Sequence, residues 1–340
     1  MASSHLRRPA STATLLLSLA FLTAGGCGGQ DGEATKEPEP ATRAEAASEE
    51  TGMASKEPEL ASKEAELPPR ASGAQVADTS FRPPVGDPAY PVGRGPQILL
   101  DEAHNNFHTV DGRYQSAVQL LRSDGFRVAP LREPLTSESL ASADLLIIAN
   151  ALADENVQSW RLPTPSAFTP EEMAAVTRWV EGGGALLLIA DHMPFPGAAE
   201  DLAAAFGARF LNGFATDSTG AADTFMFRRS QGTLVPHPVS DGLRPEEQID
   251  SAMSFPGQAF QIDPPLAPVL VVPEGTMVLL PEEAWVFSGK TPIRDGQGLV
   301  QGAAGNWGQG RVALWGEAAM FTAQVSGPER RPMGMSLPAA

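Results

Sequence analysis

The amino-acid sequence predicts an α/β domain on a mainly parallel sheet, and three observations carry that expectation. Apolar runs without alternation, Leu145-Leu146-Ile147-Ile148-Ala149 and Ala185-Leu186-Leu187-Leu188-Ile189-Ala190, read as strands buried on both faces. Helix patterns separate the strands. Glycine clusters punctuate the changeovers, as βαβ units require.

The elements follow in order. Gln97 to Asp101 is a short apolar run ending in an acid. A helix pattern follows with Tyr114, Val118 and Leu121 on one face, and Ser123-Asp124-Gly125 stops it. Phe126 to Leu131 reads as a second strand and Ala143 to Asn150 as a third. Thr169 is then an N-cap, Pro170 the first helical residue and Glu172 the partner that completes a capping box. Met173, Val176 and Val180 line that helix, Gly182-Gly183-Gly184 ends it, and the strand to Ala190 and Asp191 follows. A short helix places Leu202, Ala205 and Phe206 inward before Gly207. From about Asp217 to Thr291 prolines interrupt short apolar runs, which suggests strands or an extension at one sheet edge. Asn306 to Gly310 is a turn, Arg311 to Gly316 a strand, and a helix is expected near Ala318.

The N-terminal part has a different character. Arg7 and Arg8, the apolar run Leu15 to Leu22 and small residues before Cys27 make a secretory signal too short to span a bilayer. Ala24-Gly25-Gly26-Cys27 reads as a lipobox, so residues 1–26 are expected to be a lipoprotein signal peptide and Cys27 to carry lipid. An ordinary cleaved signal with a chance cysteine is the plainer alternative. Gly28 after the cysteine points to the outer membrane, facing the periplasm or the cell surface. Residues 27–95 read as the lipidated cysteine and a disordered acidic linker, rich in Glu, Ala, Pro, Ser and Lys. Residues 96–340 read as one domain, large enough for a substantial core.

Composition removes several functions. The chain holds one cysteine, so the domain has no internal disulfide, cysteine metal site or cysteine nucleophile. A net charge of −17 repels nucleic acid and anionic lipid, so membrane contact is expected through lipid on Cys27. No Gly-x-Ser-x-Gly elbow is present, and Gly182-Gly183-Gly184 precedes a strand, so it is no phosphate loop.

Ligands of open parallel sheets bind outside the carboxyl ends of the strands. There the sequence places Asp101, Glu102, His104, Asn105, Asn106 and His108 after the first strand, Asp191 and His192 after a later one, and Glu317 after the last. These nine are the candidate ligand-binding residues. His104, Asp191, His192 and Glu317 are the catalytic candidates. His104, His108, Asp191 and Glu317 could together suit a divalent cation such as Zn²⁺, Mn²⁺ or Fe²⁺, although their spacing matches no diagnostic motif. Each has a plainer structural reading. The aspartates could cap loops, and the histidines could be buried and satisfied. His237, before Pro238, reads as part of a rigid turn.

The opening Leu99-Leu100-Asp101-Glu102-Ala103-His104-Asn105-Asn106-Phe107-His108-Thr109 resembles a bacterial lipoprotein group of the class I glutamine amidotransferase-like superfamily. The Gly182-to-Asp191 strand, the His237-Pro238 turn and the closing Gly308-Gln309-Gly310-Arg311-Val312-Ala313-Leu314-Trp315-Gly316-Glu317 are similar to ThuA-like relatives in it. The resemblance covers roughly Pro96 to Ala323. It implies a flavodoxin-like three-layer sandwich, normally closed by a further helix that would here be missing or truncated. It does not imply amidotransferase activity, because Asp191-His192 stand where the catalytic cysteine of that superfamily would be. Two functions are expected. One is an envelope-anchored domain binding a small polar ligand, glycan or envelope protein partner through the strand-end pocket. The other is a hydrolase, with or without a metal, using the same residues. A purely structural envelope protein is the third class.

Overall fold

The computed structural model describes residues 76–78, 80–82, 85–220, 224–326 and 331–334. The signal peptide, Cys27 and residues 28–75 of the expected linker lie outside the described residues.

The described chain is built on a seven-stranded sheet. Its strands are β1 (Gln97–Asp101), β2 (Arg127–Leu131), β3 (Leu145–Ala149), β4 (Ala185–Ile189), β5 (Ala267–Val271), β6 (Val300–Trp307) and β7 (Gly310–Trp315). Their spatial order is β5-β6-β7-β4-β3-β1-β2. The five strands from β7 to β2 run parallel, and β6 and β5 add an antiparallel edge. Among the described residues three helices of nine residues or more accompany them: α1 (Gln115–Ser123), α2 (Pro170–Glu181) and α3 (Phe195–Ala204).

Period-two alternation gives the sheet a core on each face. Ile98, Leu100, Ile147, Leu187, Ile189, Ala313 and Trp315 pack with Val118 and Leu121 of α1 and with Phe225, Phe227 and Val278. Leu99, Leu146, Ile148, Leu186, Leu188, Val312 and Leu314 pack on the other face with Val176 and Val180 of α2 and Leu202 of α3. The helices therefore divide one to two, and short strands at Phe225–Arg228 and Met277–Leu279 help cover the α1 face.

The capping box forms as its chemistry dictates. Thr169 accepts from the Glu172 N–H at 3.2 Å, and the Glu172 carboxylate accepts from the Thr169 N–H at 3.0 Å. In α3, Ala203 takes the buried place expected for Ala205, because the helix ends at Ala204.

Two elements differ from expectation. Within the span 27–95 expected as linker, Val76–Ala77 pairs antiparallel with Ala323–Ser326, and Phe81, Val85 and Tyr90 pack against the core. Isolated apolar residues in a polar stretch find partners only in three dimensions. The helix expected near Ala318 is a single 3₁₀ turn, Ala319–Phe321. The Glu317 carboxylate takes the N–H groups of Ala319 and Met320, the Thr322 hydroxyl donates to the Ala319 carbonyl, and the chain then leaves as a strand. Among the described residues no helix is long and apolar enough to cross a membrane.

Candidate functional site

Alternation along the strands divides the nine sequence-predicted residues between the two sheet faces. Asp101 follows Leu99 on the α2 face. Asp191 and Glu317 each lie two residues beyond Ile189 and Trp315, paired residues of the α1 face. The expected single pocket is therefore two groups.

The first group is closed. Both oxygens of buried Asp101 lie 2.9 Å from His104 Nδ1, and the Asn106 amide donates to Asp101 at 3.0 Å. His104 Nε2 lies 3.0 Å from Glu172 Oε1. The His104 N–H bonds the Asn106 side chain, and the ring leans on Phe168 at 4.8 Å. Burial pushes the His104 imidazole down, but the bonds and charges of Asp101 and Glu172 outweigh it and hold the imidazole above its usual range. For Glu172 burial acts upward, and bonds from the Thr169 and Leu135 backbone and from His104 win, holding its carboxyl low. The result is an imidazolium between two carboxylates that ties the loop after β1 to the start of α2. Both nitrogens of His104 are engaged, which leaves no lone pair for a metal or a reacting group.

Glu102 and Asn105 brace the same loop. Glu102 accepts from the Val110 N–H at 2.8 Å and pairs with Arg132 at 3.0 Å. Asn105 adopts φ 48°, and its amide donates to the Leu152 carbonyl and to Asp154.

The second group is different. Glu317 is 1 % exposed and Asp191 9 %, and the strand register sets them side by side at the carboxyl ends of β7 and β4. Asn150, at φ 53° after β3, accepts the Asp191 N–H at 2.9 Å. The loop 255–258 crosses above; a Cβ on Gly257 would meet the Gly316 carbonyl at 2.0 Å, so only glycine fits. Burial, and then the nearby Asp191, hold the Glu317 carboxyl well above the usual range despite backbone N–H bonds to it. Both carboxylates act on buried Tyr114, whose hydroxyl donates to the Ala318 carbonyl at 3.2 Å. His108 lies 4.5 Å from the Tyr114 ring. It is 3 % exposed, and its Nδ1 has no hydrogen-bond partner. Burial, with Arg113 nearby, pushes its pKa down to about 3, so the ring is neutral. Arg113 lies 4.4 Å over the Phe107 ring and bonds Gln324 at 3.0 Å.

His192 sits among aromatic rings that sequence reading did not associate with it. Its Nδ1–H donates to the Met193 carbonyl at 2.7 Å, which assigns that tautomer. The ring stacks on Phe214 at 4.7 Å and 13°, with Trp285 at 4.5 Å and Trp160 at 6.0 Å. Trp285 adopts φ 69°, a left-handed conformation costly for a bulky residue and concentrated at functional sites. The Ala284 N–H bonds the Trp160 carbonyl at 2.8 Å, which brings the two indole-bearing segments together. Phe107 and Trp285, 38 % and 39 % exposed, present this rim to solvent.

The four-ligand metal set His104, His108, Asp191 and Glu317 is not assembled. Alternation sends His104 with Asp101 toward α2 and the rest toward α1. Among the described residues no group of three His, Cys, Asp or Glu side chains is placed to hold a metal ion. His237 acts as its turn predicts: its Nδ1 accepts from the Val239 N–H at 3.1 Å and caps Pro238–Asp241.

No family model matches the chain. No curated protein matches it either. Solved structures similar to it include the N-terminal domain of mmIFT52, at 16% identity over 66% of this chain and 88% of that one, with a TM-score of 0.46. A cytoplasmic protein from Salmonella typhimurium LT2 is 14% identical over 65% and 87%, with a TM-score of 0.37. A ThuA-like protein from Bacteroides uniformis is 12% identical over 69% and 83%, with a TM-score of 0.35.

Proposed function

We propose that this chain is an envelope lipoprotein, anchored through Cys27, whose amidotransferase-like domain binds a small polar ligand at the carboxyl ends of β4 and β7. The observation that carries this reading is the buried pair Asp191 and Glu317 at matched strand ends, with the unpartnered Nδ1 of His108 on the same side. The parallel order β2-β1-β3-β4-β7 and the core on each face support reading the domain as a flavodoxin-like three-layer sandwich. Such sheets bind ligands at this edge. The only cysteine is Cys27, so the domain does no cysteine-based amidotransferase chemistry. A ligand with hydroxyl or amide donors would satisfy His108 Nδ1 and could also donate to the Asp191 carboxylate, and the Trp160, Trp285 and Phe107 rim would cover its apolar faces. A mono- or disaccharide meets both demands.

Ligand-observed NMR of the full-length protein against a panel of neutral sugars, polyols and amino acids tests this. Binding that disappears in Asp191→Asn is expected. A panel without binders, or binders indifferent to Asp191→Asn, would overturn it.

One observation favours a hydrolase as the second reading. Burial and then Asp191 raise the Glu317 carboxyl well above its usual range, the direction a general acid beside a second carboxyl group needs. Turnover of ester, amide or glycoside substrates, lost in Glu317→Gln, would establish it.

A further inference from the structure

A cavity of about 250 Å³ lies at the opposite edge of the sheet, where β4 and β7 begin. It exists because the local side chains are too small to fill it. Ala185, Ala304 and Ala313 occupy adjacent positions on the α1 face of β4, β6 and β7, and Ala267 pairs with Ala304 from β5. Leu187 stands beside Ala313 in the same row, and one row further along the face Ile189 and Trp315 fill their space. Gly305 keeps the strand low, since a Cβ there would meet the Pro265 carbonyl at 2.7 Å. Pro238 and Pro265 close the sides.

Two polar side chains line this chamber, Asn306 exposed and Arg311 half-buried. Asn306 and Arg311 are cross-strand partners on β6 and β7, in the row below Ala304 and Ala313. Among the described residues neither side chain has a hydrogen-bond partner, and Arg311 has no carboxylate partner. The guanidinium is also partly desolvated, and that burial lowers its pKa. His237 lines the wall, but its Nδ1 is already spent on the Val239 N–H.

We propose that this cavity binds a small organic monocarboxylate, with the carboxylate on Arg311 and Asn306 and the apolar body on the alanine floor. The guanidinium fork matches a carboxylate in two parallel bonds, and the Asn306 amide supplies a further donor. A cavity of about 150 Å³ admits benzene, so this one accommodates a body of about six carbons with its head group. One cation and an apolar floor suit a monoanion better than phosphate, and the −17 chain disfavours a dianion. The site is independent of the strand-end site, which lies at the other end of β4 and β7.

Calorimetric titration of the full-length protein with hexanoate, hexanol and inorganic phosphate tests this. Hexanoate is expected to bind with one-to-one stoichiometry, at least about tenfold more tightly than hexanol. Arg311→Gln should weaken hexanoate by about tenfold or more, and Ala304→Leu, which fills the chamber, should abolish binding. Arg311 is partly exposed, so Arg311→Gln keeps the test decisive should Ala304→Leu fail to fold. Absent hexanoate binding, affinity unchanged by Arg311→Gln, or preference for phosphate would each overturn the proposal.

Discussion

Two histidine–carboxylate groups stand at the same edge of one sheet and behave oppositely. His104 lies between Asp101 and Glu172 with both nitrogens bonded, and its imidazole is held high. His108, four residues later, is buried against Tyr114 with Nδ1 unpartnered, and its imidazole is held near 3. The difference teaches that residue type does not decide what a buried histidine does. The number of partners that reach it does. A satisfied group rigidifies, whereas an unsatisfied buried group is where a ligand gains most.

The largest expected effect breaks the comparison on the His108 side. A histidine that stays neutral to about 3 when folded but titrates near 6.5 unfolded costs nothing above pH 6.5. Below it, stability falls as pH drops toward 3, by roughly 4–5 kcal/mol in all, because the unfolded chain binds the extra proton. Denaturant titrations of wild type and His108→Phe across that window should show the acid loss shrinking in the variant. An equal slope in both would refute it.

Next comes the His104 clamp. His104→Ala leaves two buried carboxylates facing each other, and a cost of about 3–5 kcal/mol at pH 7 is expected from equilibrium unfolding. The pH dependence runs opposite to that of His108. A raised folded pKa contributes stability in full below the unfolded value and loses it as pH rises through the folded one. The lowered Glu172 carboxyl contributes above its unfolded value and loses that as pH falls through its folded one. Replacing the same residue type at 108 is expected to do far less at neutral pH. His108→Phe removes an unsatisfied nitrogen and keeps the ring, so a change within about 1 kcal/mol is expected. The smallest effect tests the clamp from the helix side. Thr169→Ala removes one half of the capping box and should cost about 1 kcal/mol, read from the same unfolding curves.

Much of the frame could be read from the residues. The non-alternating runs at Leu145 and Ala185 are central strands, and Thr169, Pro170 and Glu172 open α2 as local chemistry requires. The site was only partly readable. Asp191, Glu317 and His108 were recognised by type and position, yet Glu172 was read as a capping residue and never as the partner of His104, 68 positions away. Trp160, Phe214 and Trp285 carry no periodic signal, so nothing in the order of residues announces that they gather around His192. Arg311 and Asn306 looked like ordinary strand residues. Only their register against each other, above a floor of alanines, makes a chamber of them.

The sequence by itself determined the sheet-forming runs, the helix start at Thr169, the edge where acids and imidazoles collect, and the absence of a cysteine after residue 27. These follow from local periodicity, capping and composition, which act over a few residues. The tertiary structure alone decided which face each strand-end acid takes, and so split one expected pocket into a closed clamp and a second group that leaves His108 Nδ1 without a partner. That choice rests on strand alternation and pairing between distant segments, where a shift of one residue moves a side chain from one core to the other.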